Sequence, residues 1–172
     1  MTERRQLHPE AWEWSQGMSF SQGVEIGDTV YVAGHVSISE ECQIVGGPDD
    51  MRTQSQQAFE NVETVLAEAG MTLDNVVNLT CYITDQSLYP DYSAVRTEKF
   101  EGNLPASATV VVKRLVLPGL LVEIDAVAVR QPEQGTEMRN YTEHIYSTTT
   151  FELNYVEVPG NGAPLIIAYG FS

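Results

Sequence analysis

Two neighbouring runs of sequence decide the fold: residues 104–112 read LPASATVVV and residues 120–129 read LLVEIDAVAV. Both are rich in β-branched residues, and Pro118-Gly119 between them predicts a tight connection. In the second run, apolar and acidic residues alternate with the period of two that is typical of a strand. Glu123 and Asp125 therefore leave one face of this strand, and Val122, Ile124, Ala126 and Ala128 leave the other.

Upstream of these runs, the sequence predicts strands at 29–38 (TVYVAGHVSI) and 76–83 (VVNLTCYI). Between them, apolar residues at helical spacing predict a helix from Met51 that ends before Gly70. A second helix is expected to begin near Pro90, which suits a first helical turn, and to end at Gly102.

This order of elements predicts an α+β fold in which two helices pack on one face of the sheet. The other face would stay uncovered, and the sequence leads us to expect an apolar surface there. Because a large apolar surface is unusual on a monomer, the same argument predicts an oligomer. The residues expected on this uncovered surface are Val110, Val112, Val122 and Ile124.

The composition restricts the partners of the protein. Nine Lys and Arg residues against 24 Asp and Glu residues give a net charge of −15. Such a charge disfavours nucleic acid and anionic membranes as partners. The two cysteines lie in no ligand spacing, so we expect neither a structural metal nor a disulfide framework. With neither a signal-like segment nor an apolar run of spanning length, a cytoplasmic location is expected.

Three segments are expected along the chain. Residues 1–16 are polar apart from two tryptophans and are interpreted as a docked N-terminal arm. Residues 17–130 carry the main domain. Residues 131–172 form an extension in which a polar linker, 131–144, precedes two β-like runs, 148–158 and 164–171, that read as a hairpin.

Glu123 and Asp125 are the strongest candidates for chemistry. Two carboxylates side by side on an otherwise apolar strand are costly to bury when both are ionised. Burial and like charge raise the pKa of at least one of them, which suits a general acid or base near neutral pH. The alternative is that they line a wet rim or accept backbone N–H bonds, and this is the favoured reading for Asp125.

Other candidates are single residues. Gly34 inside a predicted strand indicates a bulge or a close approach of another group. His35 is a candidate proton shuttle, although a lone histidine also serves as a structural hydrogen-bonding residue. Cys81 reads as a small buried residue, because no cation lies near it in sequence. Ser107 has no nearby partner histidine and no nucleophile-elbow motif, so a serine hydrolase is disfavoured.

Several motifs in order carry a family resemblance. Residues 104–110 (LPASATV), 117–118 (LP) and 122–128 (VEIDAVA) resemble the signature PARTxV…LP…VEIEAIA of the RidA/YjgF family. Residues 18–24 (MSFSQGV) and 30–35 (VYVAGH) resemble the opening motifs of that family. The resemblance covers residues 17–130.

The resemblance implies a chorismate-mutase-like fold that assembles as a homotrimer, with the sheets forming a central barrel and the pockets lying between subunits. Typical members hydrolyse reactive imines or enamines to keto acids and ammonia without a cofactor or metal. In these proteins an arginine holds the substrate carboxylate and a glutamate positions the attacking water.

Carried onto this chain, the glutamate falls on Glu123 and the glycine of the family's SGQ motif on Gly34. His35 takes the place of the glutamine, Phe20 that of a frequent pocket tyrosine, and Ser107 that of the arginine. Losing a bidentate arginine removes a charge-assisted contact. Arg96 or Arg114 could supply a replacement, the substrate could lack the carboxylate, or the pocket could serve another reaction.

The sequence therefore predicts a divergent enzyme for a small imine, enamine or related unsaturated compound, acting by hydrolysis, proton transfer or cyclisation. The expected catalytic residues are Glu123, Ser107 and His35. The expected substrate contacts are Phe20, Gly34, Thr109 and Arg96. The alternative is a binding or regulatory protein that keeps the pocket without the chemistry.

Overall fold

A computed structural model describes residues 3–131 and three later strands at 142–147, 152–157 and 167–169. The chain divides into two compact units, Met1–Gln131 and Pro132–Ser172. The first unit holds both helices and every candidate functional residue.

The first unit is built on one six-stranded sheet. In chain order the elements are β1 (Arg4–Leu7), β2 (Gly23–Ile26), β3 (Thr29–Val36), α1 (Met51–Glu68), β4 (Val76–Ile83), α2 (Tyr89–Lys99), β5 (Ala106–Val111) and β6 (Val122–Val129). The strands are ordered β1-β2-β3-β6-β4-β5 across the sheet. All neighbouring strands are antiparallel except β4 and β5, which are parallel.

Burial alternates along β6 and shows which sheet face the helices cover. Val122, Ile124, Ala126 and Ala128 are buried in one cluster with apolar side chains of α1 and α2. Glu123 and Asp125 are half-buried on the opposite face, which we call the open face. The sheet thus has two helices on one side, as predicted for an α+β fold.

The composition of the open face corrects one prediction. Val122 and Ile124 were expected on the uncovered surface, but both are completely buried beneath the helices. Val110 is 44% exposed, as expected, while Val112 is half-buried. The period of two places Val122 and Ile124 opposite Glu123 and Asp125, so the same alternation that exposes the carboxylates buries the valine and isoleucine.

Helix α1 has clear signals at both ends. The side chain of Asp50 caps its first turn by accepting a hydrogen bond from the Thr53 backbone N–H, 3.0 Å away. At the other end Gly70 adopts a φ of +64°, and the Met71 N–H returns to the Leu66 carbonyl at 3.0 Å. No helix in the described part of the chain is long and apolar enough to cross a membrane.

Residues Arg4–Leu7 of the N-terminal segment belong to the sheet. Strand β1 pairs with β2 from Arg4 to Leu7 and forms the sheet edge. Arg5 contacts Glu25 on β2 at 2.7 Å and the Glu68 carbonyl at the end of α1 at 2.9 Å. A side-chain ion pair and a helix-capping contact therefore fix this strand in place.

One buried glutamine connects α1 to two loops. The Gln54 side chain is fully buried, and its Nε2 donates to the carbonyls of Gly47 and Gly119 at 2.9 and 2.8 Å. Its Oε1 accepts from the Leu121 N–H at 2.8 Å. Gln54 therefore holds the turn that leads into β6 and fixes where that strand begins.

The second unit contains a three-stranded sheet. Strands β7 (Thr142–Ser147), β8 (Glu152–Glu157) and β9 (Ile167–Tyr169) form an antiparallel sheet in the order β7-β8-β9. Strand β7 begins at Thr142, inside the segment that was predicted to be a polar linker. Most of that linker and the connection between the two predicted hairpin strands lie outside the described residues.

Replacing Gln54 with leucine should lower the free energy of unfolding by roughly 1–3 kcal/mol, because the buried Leu121 N–H loses its partner and the carbonyls of Gly47 and Gly119 lose theirs. Gln56→Leu, at a half-buried position on the same helix, should change it by less than about 0.5 kcal/mol. Urea denaturation of both variants measures the difference. Equal effects would show that Gln54 has no special role in holding the loops.

Candidate functional site

The predicted site residues lie on both faces of the sheet, and those that line a cleft are divided between two separate clefts. A cleft of about 340 Å³ on the open face is lined by Gly34, Tyr82, Arg114, Glu123 and Asp125, among others. A cleft of about 880 Å³ lies between β5 and α2, on the side of the helices. We call them the open-face cleft and the helix-side cleft.

The Glu123 side chain on β6 lies next to the backbone of Gly34 on the neighbouring strand β3. The pairing of β3 with β6 shifts register between Val32 and His35, which is the bulge that a glycine in this strand predicted. A Cβ atom at Gly34 would collide with the Glu123 carboxylate. Glycine at this position therefore lets the carboxylate approach the backbone of the neighbouring strand.

The electrostatics of the open-face cleft favour a protonatable glutamate. Partial burial, and secondarily the charge of Asp125, raise the pKa of Glu123 above its ordinary range. The charge of Asp125 also raises the pKa of the Tyr82 phenol, which lines the same cleft. This cleft therefore combines a poised carboxyl group with a second carboxylate, a phenol and the guanidinium of Arg114.

Ser107 and Thr109 point to the opposite side of the sheet. In the β4–β5 ladder they stand beside Leu79 and Cys81, whose side chains are buried beneath the helices. Both residues line the helix-side cleft. Within one subunit, then, the sheet separates Ser107 from Glu123, and the structure does not bring the two predicted catalytic residues together.

Arg96 accompanies Ser107 in the helix-side cleft. Its Nη1 donates to the Ser107 hydroxyl at 3.3 Å, and its Nη2 donates to the hydroxyls of Tyr89 and Ser93 at 3.4 and 3.5 Å. Its guanidinium carbon lies 5.5 Å from the centre of the Tyr92 ring. Of the two arginines considered as replacements, Arg96 is the one beside Ser107, and Arg114 lines the open-face cleft.

His35, which was expected to be catalytic, lines neither cleft. The ring is 96% inaccessible to solvent, packs against Trp12 at a centroid distance of 5.5 Å and donates from Nε2 to the Gln22 carbonyl at 3.3 Å. Burial lowers the pKa of His35 to about 4, although the bond to Gln22 opposes the shift. The bulge after Val32 turns this side chain toward the core, where the histidine is structural.

Two further predictions can be compared with the structure. Phe20 is 54% exposed and lines neither cleft. Cys81 is buried, and burial raises the pKa of its thiol to about 12, which makes it a poor nucleophile. Within the described residues, no three side chains of His, Cys, Asp or Glu are grouped so that they could share a metal ion.

Sequence reasoning missed Tyr82 and Tyr89. Tyr82 faces Glu123 across the β4–β6 ladder, and the alternation of β4 gave a signal for this, because Tyr82 lies between two residues of the buried face. Tyr89 is the first residue of α2, and Arg96 follows it by seven residues, about two turns, so the helical period places both on one face of the helix.

The fold and the clefts define a class: a small α+β domain with a helix-covered sheet and a candidate small-molecule site. A family model described as Endoribonuclease L-PSP matches residues 14–130. A RutC family protein of Pyrococcus abyssi is 34% identical over 113 residues, which is 65% of this chain and 87% of that protein. The chain belongs to the RidA/YjgF family.

Two further similar proteins are a named deaminase and a solved structure. A 2-iminobutanoate/2-iminopropanoate deaminase of Dermatophagoides farinae is 32% identical, over 64% of this chain and 84% of that protein. The crystal structure of a YjgF/YER057c/UK114 family member from Mycobacterium tuberculosis matches with a TM-score of 0.63 and 32% identity. It covers 74% of this chain and 99% of that one. These relatives match less than the full chain.

Asp125→Asn should lower the pKa of Glu123 toward the ordinary glutamate range, because a neighbouring negative charge is removed while burial remains. The NMR titration of ¹³C-labelled glutamate side chains measures this directly. Asp74→Asn, on the exposed turn before β4, is the matched control and should leave the Glu123 titration unchanged. A Glu123 carboxyl that titrates in the ordinary range in the unaltered protein would contradict the electrostatic argument.

Lowering the pH from about 6.5 to about 4 should reduce stability through His35. The folded state keeps this ring neutral while the unfolded chain binds a proton, so the histidine favours folding above pH 6.5 and the benefit is lost as the pH falls. The loss is on the order of 2–3 kcal/mol. Urea denaturation across this range should show a smaller pH dependence for His35→Gln. A His35 resonance that titrates near 6.5 would refute this.

Proposed function

We propose that this protein is a divergent RidA-like enzyme that acts on a small imine, enamine or related unsaturated compound, with Glu123 as its acid–base group. The observation that carries the proposal is the Glu123 carboxyl group, half-buried over Gly34 with a raised pKa. A carboxyl group with a pKa nearer neutrality can both take and return a proton. Family membership and the deaminase name of one relative supply the reaction type.

For an imine the proposed step is hydrolysis. Glu123 takes a proton from water while the water oxygen bonds to the imine carbon, and it passes that proton to the imine nitrogen to give a neutral carbinolamine. Glu123 then takes the hydroxyl proton of the carbinolamine and delivers it to nitrogen as the C–N bond breaks, which leaves a carbonyl product and ammonia. An enamine enters the same route after protonation at carbon, and water is the only co-reactant.

A neighbouring copy is needed for Ser107 or Arg96 to act with Glu123. The two clefts open on opposite faces of one sheet, so the strand β5 edge of one subunit has to meet the open face of another. Exposed apolar side chains on and beside β5 support such a contact. They are Leu104 at 78%, Val110 at 44%, Val111 at 53% and Val116 at 78% exposure. We propose a homotrimer on the family pattern.

Two other readings are weaker. The family description mentions an endoribonuclease, but a net charge of −15 opposes binding to a phosphate backbone. A binding protein without chemistry remains the competing function, because Ser107 stands where the family motif has arginine. The poised Glu123 favours the enzyme, since a binder has no need of a carboxyl group with a raised pKa.

The purified protein should release ammonia from imines or enamines generated in the assay, and Glu123→Gln should lower kcat/KM at least about 100-fold. A coupled ammonia assay with a series of amino-acid-derived enamines measures it, starting from 2-aminoacrylate and extending to those with larger apolar side chains. Glu98→Gln, an exposed glutamate on α2, is the matched control and should retain activity.

Two outcomes would contradict the proposal. Unchanged turnover in Glu123→Gln would remove the acid–base role. A monomeric mass in solution by light scattering would remove the intersubunit cleft. Ligand binding without turnover of any member of the series would favour the binding protein instead.

A further inference from the structure

The Arg96 guanidinium is held in place by hydrogen bonds but has no carboxylate partner among the described residues. Its three hydrogen-bond partners in the described part of the chain are the neutral hydroxyls of Tyr89, Ser93 and Ser107. Hydroxyls orient a guanidinium but do not neutralise its charge, so this group retains its capacity to bind an anion.

Other arginines of the same unit show the contrast. Arg52 pairs with Glu98, and Arg5 and Arg130 share Glu25. All three arginines form ion pairs on the surface of the unit. Arg96 alone among the four lines a large cleft, and it does so beside the residue that replaces the family arginine.

The position of Arg96 is fixed from two sides. The Tyr92 ring, itself completely buried, lies beneath the guanidinium at 5.5 Å and limits its movement. The Tyr89 hydroxyl accepts a hydrogen bond from it at the cleft surface, and this bond lowers the pKa of Tyr89. A group held this way loses little freedom when a ligand binds, which favours affinity.

We propose that Arg96, assisted by Tyr89, binds the anionic group of the substrate, a carboxylate separated by an apolar body from the carbon that reacts. The inference rests on the proposed function and specifies its substrate class. In the family motif the guanidinium lies on strand β5, whereas in this chain it lies on helix α2.

The separation between the carboxylate and the reacting carbon follows from the position of Arg96. An arginine at position 107 would extend its guanidinium away from β5, whereas Arg96 holds its own 3.3 Å from the Ser107 hydroxyl, close to the strand. Apolar side chains, including Phe100, Leu104 and Val111, line the same cleft as Arg96. A ligand whose anion binds Arg96 is therefore expected to contact them with an apolar body, which a compact 2-imino acid lacks.

The test compares an acid with its neutral isostere, independently of turnover. Isothermal titration calorimetry with 4-phenylbutyrate and 4-phenylbutyramide should show at least about tenfold tighter binding of the acid to the unaltered protein. Pyruvate, which lacks the apolar body, should bind more weakly than the phenyl acid. Arg96→Met should abolish the preference for the acid, and Tyr89→Phe should reduce it.

Two further variants keep the outcome interpretable. Arg96→Lys keeps the charge without the planar donor fork and should retain part of the preference, so a fold defect in Arg96→Met does not decide the result. Arg52→Met removes an arginine that is paired with Glu98 and should bind both probes as the unaltered protein does.

The inference is overturned if the unaltered protein does not prefer the acid, or if Arg96→Met and Arg96→Lys both keep the full preference. These outcomes are separate from those of the proposed function. A preference for the acid without ammonia release from any imine would leave the anion site standing and remove the enzyme. Ammonia release with equal binding of the two probes would leave the enzyme standing and remove the anion site.

Discussion

The alternation of apolar and acidic side chains along β6 is the constraint on which the rest of the unit depends. This strand pairs with β3 on one side and with β4 on the other, so its register sets theirs. A slip of one residue would turn Glu123 and Asp125 into the cluster beneath the helices. Burying two unpaired carboxylates there costs several kcal/mol, which makes the register strongly specified.

The same sheet separates the charges that the chemistry would use. Its open face carries Glu123 beside Asp125, where partial burial and like charge raise the pKa of Glu123. The cleft on its other side holds Arg96 of helix α2, positioned by neutral hydroxyls and the Tyr92 ring. Had both groups shared one face of one subunit, they could form an ion pair that would quench each of them. Within one subunit the sheet keeps the two charges apart.

Regular patterns predicted the fold well, and interruptions of those patterns produced the errors. Strand β4 has the predicted bounds, and α1 begins at Met51 as predicted, because its apolar spacing and the glycine after it are local signals. His35 lies outside both clefts for a physical reason. The bulge between Val32 and His35 reverses the phase of the strand, and the histidine then faces the core. Strand β1 has too few apolar residues to be recognised without its partner β2.

By itself the sequence determined what depends on neighbours in the chain: the bounds of α1 and β4, the shared face of Glu123 and Asp125, and the close approach at Gly34. Only the tertiary structure decided which contacts form between distant elements. Arg96 meets Ser107 because α2 packs beside β5, and Glu25 meets both Arg5 and Arg130 because three separate segments converge there. Such meetings depend on strand order and helix packing, which local periodicity does not encode.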